Sequence, residues 1–137
     1  MKNKFYYTTG NNQDKLAELY KLWKGNDISK PKYIATNEHY VVAVDNETGN
    51  YVGVATLIYM ADNVHRREWG LVENVFVHPD YRRKGIAKEL MHHLELAAFG
   101  LGCEFIKLTS RKPEAQALYK GIGYKEGKSF YKELTKL

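Results

Sequence analysis

Val-Phe-Val-His-Pro-Asp-Tyr-Arg-Arg-Lys-Gly-Ile-Ala is the sequence of residues 75–87. Apolar strand formers are followed by a turn, three consecutive cations and a glycine at the point where helical periodicity begins. The first N–H groups of a helix have no partner within it and lie at the positive end of its dipole, so a bound anion accepts several hydrogen bonds there. Gly85 allows a ligand to approach the backbone, and Arg82 and Arg83 add charge-assisted contacts. The segment predicts a phosphate-binding loop between a strand and a helix; a solvated basic loop before a helix is the alternative.

The helix after this loop is the clearest in the sequence, with Ile86, Leu90 and Leu94 on one stripe. Gly100 and Gly102 end it. Apolar and aromatic runs elsewhere predict the remaining strands at 5–9, 40–44, 51–60, 69–77, 105–109 and within 125–134, and two further helices, one containing residues 16–23 and one beginning at Pro113.

The predicted order is strand, helix, three strands, helix, strand, helix, strand. This order predicts an α/β fold in which a mixed, mostly antiparallel sheet is flanked by helices in three layers. Residues 25–39 have no sustained period and are expected to be irregular, apart from one further short helix that the segment allows. Residues 62–68 are polar and are expected to form a loop.

Composition bounds the class of protein. The 137 residues are 44% hydrophobic and 27% charged, which is typical of one soluble domain spanning residues 1–137. The longest stretch without charge, residues 48–61, is shorter than the roughly 18 residues that cross a bilayer, and residues 1–6 lack the apolar region of a signal peptide. We therefore expect a cytoplasmic protein without a membrane partner. Cys103 is the single cysteine and is expected to be a small buried apolar residue rather than a reactive thiol.

Several kinds of ligand can be excluded by spacing. The net charge of +5 indicates an anionic partner, but the densest cations are at residues 82–84 rather than spread along one face, so we predict no nucleic-acid binding. The Gly-x-x-x-x-Gly-Lys-Ser/Thr pattern is absent, so the chain has no P-loop for a nucleoside triphosphate. Gly121-Ile122-Gly123 follows a helix and lacks a third glycine, so it is not the dinucleotide-binding motif of a Rossmann fold. Neither His92-His93 nor any other set has metal-ligand spacing, so no metal is predicted.

The loop at residues 82–87 resembles the Arg/Gln-x-x-Gly-x-Gly/Ala loop of the GNAT superfamily, the N-acetyltransferases that use acetyl-coenzyme A (acetyl-CoA). Residues 75–81 are similar to the strand and turn that precede that loop. Residues 115–124 resemble the family's Ala-x-x-x-Tyr-x-x-x-Gly-Phe/Tyr helix, and the likeness covers residues 69–124. The sequence departs from the family at Lys112, where many members have an asparagine that contacts the pantetheine. Arg111 and Lys112 would instead meet the cofactor phosphates or be solvated.

The resemblance implies where acetyl-CoA binds. The pyrophosphate would lie on the N–H groups of the glycine loop, and the pantetheine arm would pair with the preceding strand where the central strands splay apart. A backbone N–H in that strand could then stabilise the oxyanion formed during acetyl transfer. The residues assigned to acetyl-CoA in this way are Phe76, Val77, Arg82, Arg83, Lys84, Gly85, Ile86, Ala87 and Lys88.

Two residues are expected to move protons. The resemblance assigns Tyr119 as the acid that protonates the departing thiolate, although one of 11 tyrosines on an amphipathic helix can also be a packing residue. An amine of pKa about 10.4 must lose a proton before it attacks, and Glu73 is the best base because it interrupts an apolar strand. Glu73 and Asn74 can instead mark a bulge or a solvent-facing edge. Glu38, His39 and His65 are weaker candidates for the base.

These observations favour direct transfer of an acetyl group from acetyl-CoA to a primary amine in a ternary complex. The acceptor is a small-molecule or peptide amine whose identity the sequence does not define, and the resemblance also allows a homodimer. The alternatives are a non-catalytic acyl-CoA sensor or protein-interaction module on the same fold.

Overall fold

The computed structural model describes residues 4–25, 37–62, 67–108, 110, 113–125 and 130–134. Within these ranges the secondary structure follows the predicted order, so the predicted fold class is confirmed. The elements are β1 (Phe5–Thr9), α1 (Gln13–Lys24), β2 (Glu38–Asp45), β3 (Tyr51–Asp62), β4 (Arg67–Val77), a 3₁₀ turn (Pro79–Tyr81), α2 (Ile86–Gly100), β5 (Phe105–Leu108), α3 (Pro113–Gly121) and β6 (Phe130–Glu133).

Two strands begin earlier than predicted. β2 starts at Glu38 and β4 starts at Arg67, so polar residues assigned to irregular segments extend the strands. Cross-strand hydrogen bonds stabilise these ends even though their side chains are not apolar. The rest of the two predicted irregular segments, residues 26–36 and 63–66, lies outside the described residues, as do Arg111 and Lys112.

The sheet has the order β1-β2-β3-β4-β5-β6, and the pair β4–β5 is parallel while the other pairs are antiparallel. β5 pairs with residues 69–71 of β4, whereas β4 continues to Val77. The two strands therefore separate beyond Leu71, which agrees with the expected splay and leaves one edge of β4 open.

A β-bulge lies at the point of separation. Thr56 of β3 pairs with Glu73 and Val54 pairs with Phe76, so two residues of β4 lie opposite Ala55. Asn74 takes a left-handed conformation, with φ 56°. Such a bulge bends the strand and increases its twist, which turns the end of β4 away from β5.

Helices cover both faces of the sheet, as the three-layer prediction requires. On one face α2 buries Leu90, Met91 and Leu94 completely, and Cys103 joins this core, 4% exposed, as expected. On the other face α1 buries Leu16 and Leu19 against β2, β3 and β4. No helix among the described residues is long and apolar enough to cross a membrane.

A buried carboxylate joins α2 to the end of the chain. Glu95 accepts hydrogen bonds from Lys132 Nζ at 2.9 Å and from the Tyr124 hydroxyl at 3.1 Å. Lys132 Nζ also donates to the carbonyl of Ile122. Because a buried charge is costly unless it is paired, these contacts hold β6 and the end of α3 against α2.

Gly53 allows α2 to lie close to the sheet. A Cβ at this position would be 3.0 Å from both Ile86 Cγ2 and Leu90 Cδ1. We expect Gly53→Ala to lower the free energy of unfolding by about 1–2 kcal/mol through overpacking. Gly100→Ala is the matched control, since its Cβ would meet nothing within 4 Å, and it should be neutral or slightly stabilising. Urea titration of both variants tests this, and equal stabilities would contradict the close approach.

Candidate active site

A cavity of about 940 Å³ lies where β4 separates from β5. Its wall combines the end of β4, the loop before α2, the first turn of α2 and one side of α3. Residues from both faces of the sheet contribute, so the cavity passes beside the open edge of β4. Its lining residues are Trp23, Val75, Phe76, Val77, Tyr81, Arg82, Arg83, Gly85, Ile86, Ala87, Lys88, Glu114, Ala115, Leu118 and Tyr119.

The start of α2 has the geometry of an anion site. Gly85 precedes the helix with φ 80°, and its carbonyl accepts the first helical hydrogen bond, from the Glu89 N–H at 3.1 Å. The N–H groups of residues 86–88 therefore have no partner within the helix. Arg83 is also left-handed, with φ 62°, and both it and Lys84 are exposed. A Cβ on Gly85 would meet no atom within 4 Å, so the approach to these N–H groups is open.

The turn before this loop is held by a long-range contact. The Tyr81 hydroxyl donates to Asp45 Oδ2 at 2.8 Å, across 36 residues of sequence. This hydrogen bond is the main reason that the pKa of Asp45 is lowered and that of Tyr81 is raised. Arg82 Nε donates to the carbonyl of Val77 at 3.1 Å, and its guanidinium lies 5.7 Å from the Phe76 ring centroid. The turn and the loop are therefore attached to the last residues of β2 and β4.

Successive residues of β4 direct their backbone N–H and C=O groups towards opposite edges of the strand. The His78 N–H donates to the Val52 carbonyl, and with Val54 opposite Phe76 this register directs the backbone groups of Phe76 towards β3. Those of Val75 and Val77 point instead towards the open edge. Val75 therefore takes the backbone position predicted for Phe76, and Phe76 contributes its ring, stacked on Trp23 with centroids 5.0 Å apart.

Tyr119 lies in the wall of the cavity, as expected for a residue that acts there. The residue is 6% exposed, and its ring contacts Tyr124 with centroids 5.9 Å apart. Burial raises the pKa of Tyr119 above the usual value of a phenol. The hydroxyl therefore keeps its proton at neutral and mildly alkaline pH, which a general acid requires.

Glu73 is exposed and Asn74 lies in the bulge, so the alternative given for these two residues, a bulge or a solvent-facing position, matches the structure. Glu73 lies beyond the last pair with β5, and alternation along the strand places its side chain on the α1 face beside Thr56, opposite to the buried Val72. Its role as the base stays a prediction. Exposure leaves the carboxylate accessible to a substrate or to water. Of the weaker candidates, Glu38 lies on the same face, His39 lies on the α2 face opposite Leu57, and His65 is outside the described residues.

The sequence does not predict that Trp23 and Tyr81 line the cavity. Helical spacing places Trp23 in a helix, but it cannot reveal that the ring reaches Phe76 and the cavity. Tyr81 falls in the turn after a predicted strand, and its hydrogen bond to Asp45 depends on contact between distant segments. No three His, Cys, Asp or Glu side chains in the described part of the chain are arranged to hold a metal ion.

Comparison with known proteins identifies the family of the chain. The model of the acetyltransferase (GNAT) family matches residues 5–124. The chain belongs to this family, whose members are acyltransferases that use acetyl-CoA. No curated protein sequence matches it.

Solved structures share the fold at low identity. A Trypanosoma brucei acetyltransferase is 19% identical with a TM-score of 0.75, covering 97% of this chain and 98% of that chain. Glucosamine-6-phosphate N-acetyltransferase from Arabidopsis thaliana is 15% identical with a TM-score of 0.74, covering 91% and 94%. A chain of the NatC complex bound to Gag peptide and CoA is 20% identical with a TM-score of 0.74, covering 97% and 100%.

The residues around the cavity fit acetyl-CoA. Free N–H groups at residues 86–88 suit a pyrophosphate, and exposed cations surround them. The open edge at Val75 and Val77 offers backbone groups to the amides of the pantetheine arm, as an added strand would use them. Tyr119 lies in the same cavity, where the thioester end of the arm is expected.

Proposed function

We propose that this protein transfers the acetyl group of acetyl-CoA directly to a primary amine in a ternary complex. The observation on which the proposal rests is a single cavity that joins a helix start with free N–H groups, an unpaired strand edge and the buried residue Tyr119. These are the three features that a phosphorylated carrier with a thioester at its far end requires. A small-molecule amine and a peptide amine both remain acceptors under this proposal.

Acetyl-CoA supplies an activated acyl thioester. Glu73 accepts a proton from the acceptor ammonium, directly or through water, and the neutral amine then forms a bond to the carbonyl carbon. A backbone N–H of Val75 or Val77 on the open edge donates to the carbonyl oxygen as it gains charge. Tyr119 donates its proton to the sulfur as the carbon–sulfur bond breaks. The amide nitrogen releases its extra proton to water, Glu73 returns its proton to solvent, and Tyr119 regains one from solvent.

A thiol-release assay tests the proposal. Protein, acetyl-CoA and a panel of amines are mixed, and free CoA thiol is measured together with the acetylated amine by mass spectrometry. We expect thiol and acetylated amine in equal amounts. Binding of acetyl-CoA without turnover on any amine would favour the sensor alternative, and absence of binding would refute the proposal.

Glu73→Gln tests the proposed base. We expect turnover to fall roughly tenfold to a hundredfold near neutral pH, since the amide cannot accept the proton of the ammonium. The loss should shrink as the pH approaches the amine pKa of about 10, where the acceptor is already neutral. CoA affinity should be nearly unchanged, because Glu73 does not line the cavity.

The pH–rate profiles of Glu73→Gln and the parent decide this prediction. Glu47→Gln, which removes an exposed carboxylate from the hairpin between β2 and β3, is the matched control. If the Glu73→Gln profile overlays that of the parent, the base is elsewhere or water suffices.

A further inference from the structure

Side chains of α1, β2, β3 and β4 form a polar face beside the cavity. On β2, β3 and β4, Tyr40 lies opposite Thr56 and Thr56 lies opposite Glu73, so the three side chains form a row across the sheet. Tyr20 of α1 lies over this row, and the Glu38 carboxylate accepts a hydrogen bond from the Tyr40 hydroxyl at 2.5 Å. We call these five residues the hydroxyl–carboxylate face.

Two hydroxyl groups of this face lack partners among the described residues. Thr56 is 1% exposed, and neither its Oγ1 nor the buried Tyr20 hydroxyl has a hydrogen-bond partner there. Burial raises the pKa of Tyr20, the Thr56 hydroxyl beside it partly lowers that pKa as a weak hydrogen-bond neighbour, and the charge of Glu38 raises it. The two hydroxyls therefore adjoin one another, but without a hydrogen bond of good geometry between them. Unsatisfied buried hydroxyls are costly and uncommon in native proteins, so each has a reason, of which a role in a binding or catalytic site is one.

The charge of the face is negative. Glu38 and Glu73 point to the same side of the sheet, and their Cα atoms are about 12 Å apart, given strand spacings of about 4.8 Å and a two-residue offset. Lys24 and Arg82 also lie on this side but are engaged beside the cavity, where Lys24 Nζ is 4.4 Å from the Trp23 ring centroid and Arg82 Nε donates to the Val77 carbonyl. Two other cations are engaged further along the sheet. Arg67 pairs with Glu104, and Lys107 Nζ lies 5.4 Å from the Trp69 ring centroid.

The face adjoins the cavity proposed for acetyl-CoA. Phe76 and Trp23 line that cavity and pack in the same α1-side cluster as Tyr20. An acceptor whose amine approaches Glu73 from this side would extend across Thr56 towards Glu38. Only Glu73 is needed to deprotonate the reacting amine, so the charge of Glu38 remains to pair with a second cationic group.

We propose that the hydroxyl–carboxylate face binds the acceptor and selects a small amine with a second positive charge, such as a linear diamine or polyamine. Glu73 faces the reacting amine, Glu38 binds the second ammonium, and the hydroxyls of Tyr20 and Thr56 complete its hydrogen bonds. The inference rests on the proposed acetyl transfer. It disfavours phosphorylated acceptors, which the two carboxylates would repel.

Matched acceptors test the proposal. Putrescine and butylamine share a four-carbon chain and differ in the second ammonium group, while glucosamine-6-phosphate and a peptide with a free N-terminus represent other acceptor classes. We expect kcat/KM for putrescine to exceed that for butylamine by about tenfold or more, as one charge-assisted hydrogen bond implies, mainly through a lower KM. Glucosamine-6-phosphate should be the poorest acceptor.

Glu38→Gln should lower the putrescine-to-butylamine ratio of kcat/KM by about tenfold. Glu18→Gln, which removes the same charge from the exposed side of α1, should leave the ratio unchanged. An unaltered ratio in Glu38→Gln, or a preference for butylamine, the peptide or the sugar phosphate, would overturn the proposal. Calorimetric binding of putrescine and butylamine to the CoA-bound protein needs no turnover. It therefore separates failure of this inference from failure of acetyl transfer.

Discussion

Tyr119→Phe is expected to slow acetyl transfer by roughly 10²–10⁴-fold while leaving acetyl-CoA affinity nearly unchanged. The ring is buried in the cavity wall, so phenylalanine fills the same volume and only the proton donor is lost. Burial raises the pKa of Tyr119, so the parent enzyme should keep its acid protonated beyond the ordinary phenol pKa of about 10. A thiolate can also leave without protonation at some rate, which places the expected loss towards the lower end of the range.

The neighbouring tyrosine provides the control for this variant. Tyr124→Phe removes the hydroxyl that donates to Glu95, which should lower the free energy of unfolding by about 1–2 kcal/mol without removing the proposed acid. Turnover and thermal midpoint are measured for both variants. A Tyr119→Phe enzyme with reduced stability but normal specific activity in its folded fraction would make Tyr119 a packing residue, and an unchanged rate would exclude it as the acid.

Gly85→Asp is expected to weaken acetyl-CoA binding by roughly 10- to 100-fold. The added carboxylate would lie beside the free N–H groups at the start of α2 and repel a phosphate there by about 1–3 kcal/mol. Binding to the parent protein should also weaken steeply with added salt, since the surrounding cations are exposed. Isothermal calorimetry at two salt concentrations measures both effects.

Gly85→Asn separates charge from shape in this test. Asparagine and aspartate have nearly the same size and both tolerate the left-handed conformation that Gly85 adopts, with φ 80°. The asparagine variant should therefore lose much less affinity than the aspartate variant. Equal affinities in the two variants would show that the phosphate does not bind at this helix start.

Local patterns in the sequence predict most of the fold. The stripe at Ile86, Leu90 and Leu94 defines α2, and its helix forms as expected against the sheet. The limits of β2 and β4 could not be predicted, because their polar first residues belong to strands through backbone pairing alone. Strand propensity depends on the side chains of a segment, whereas the limits and register of a strand also depend on the strand with which it pairs.

Part of the candidate site can be predicted from the sequence, and part depends on contacts between distant segments. The loop at Gly85 and the position of Tyr119 follow from contiguous motifs, and the structure brings both to one cavity. A charge at Glu73 within an apolar run allows either a buried base or a bulge with a solvent-facing side chain, and only the pairing of β4 with β3 and β5 distinguishes the two. The convergence of Tyr20 and Thr56 joins a helix to a strand 36 positions away, which no local pattern reveals.

The extra residue in β4, Asn74, is not needed for the burial pattern of the core, but it bends the strand where the cavity opens. A chain without Asn74 would keep Val72 and Val75 on one side and Glu73 and Phe76 on the other, because the shortened strand would simply alternate. Its core would be the same, but β4 would run straight and could continue alongside β5. Among related sequences, one extra residue between the positions of Glu73 and Val75 therefore indicates a chain whose β4 separates from β5. A sequence without it indicates the same sheet and helices with no cavity between these two strands.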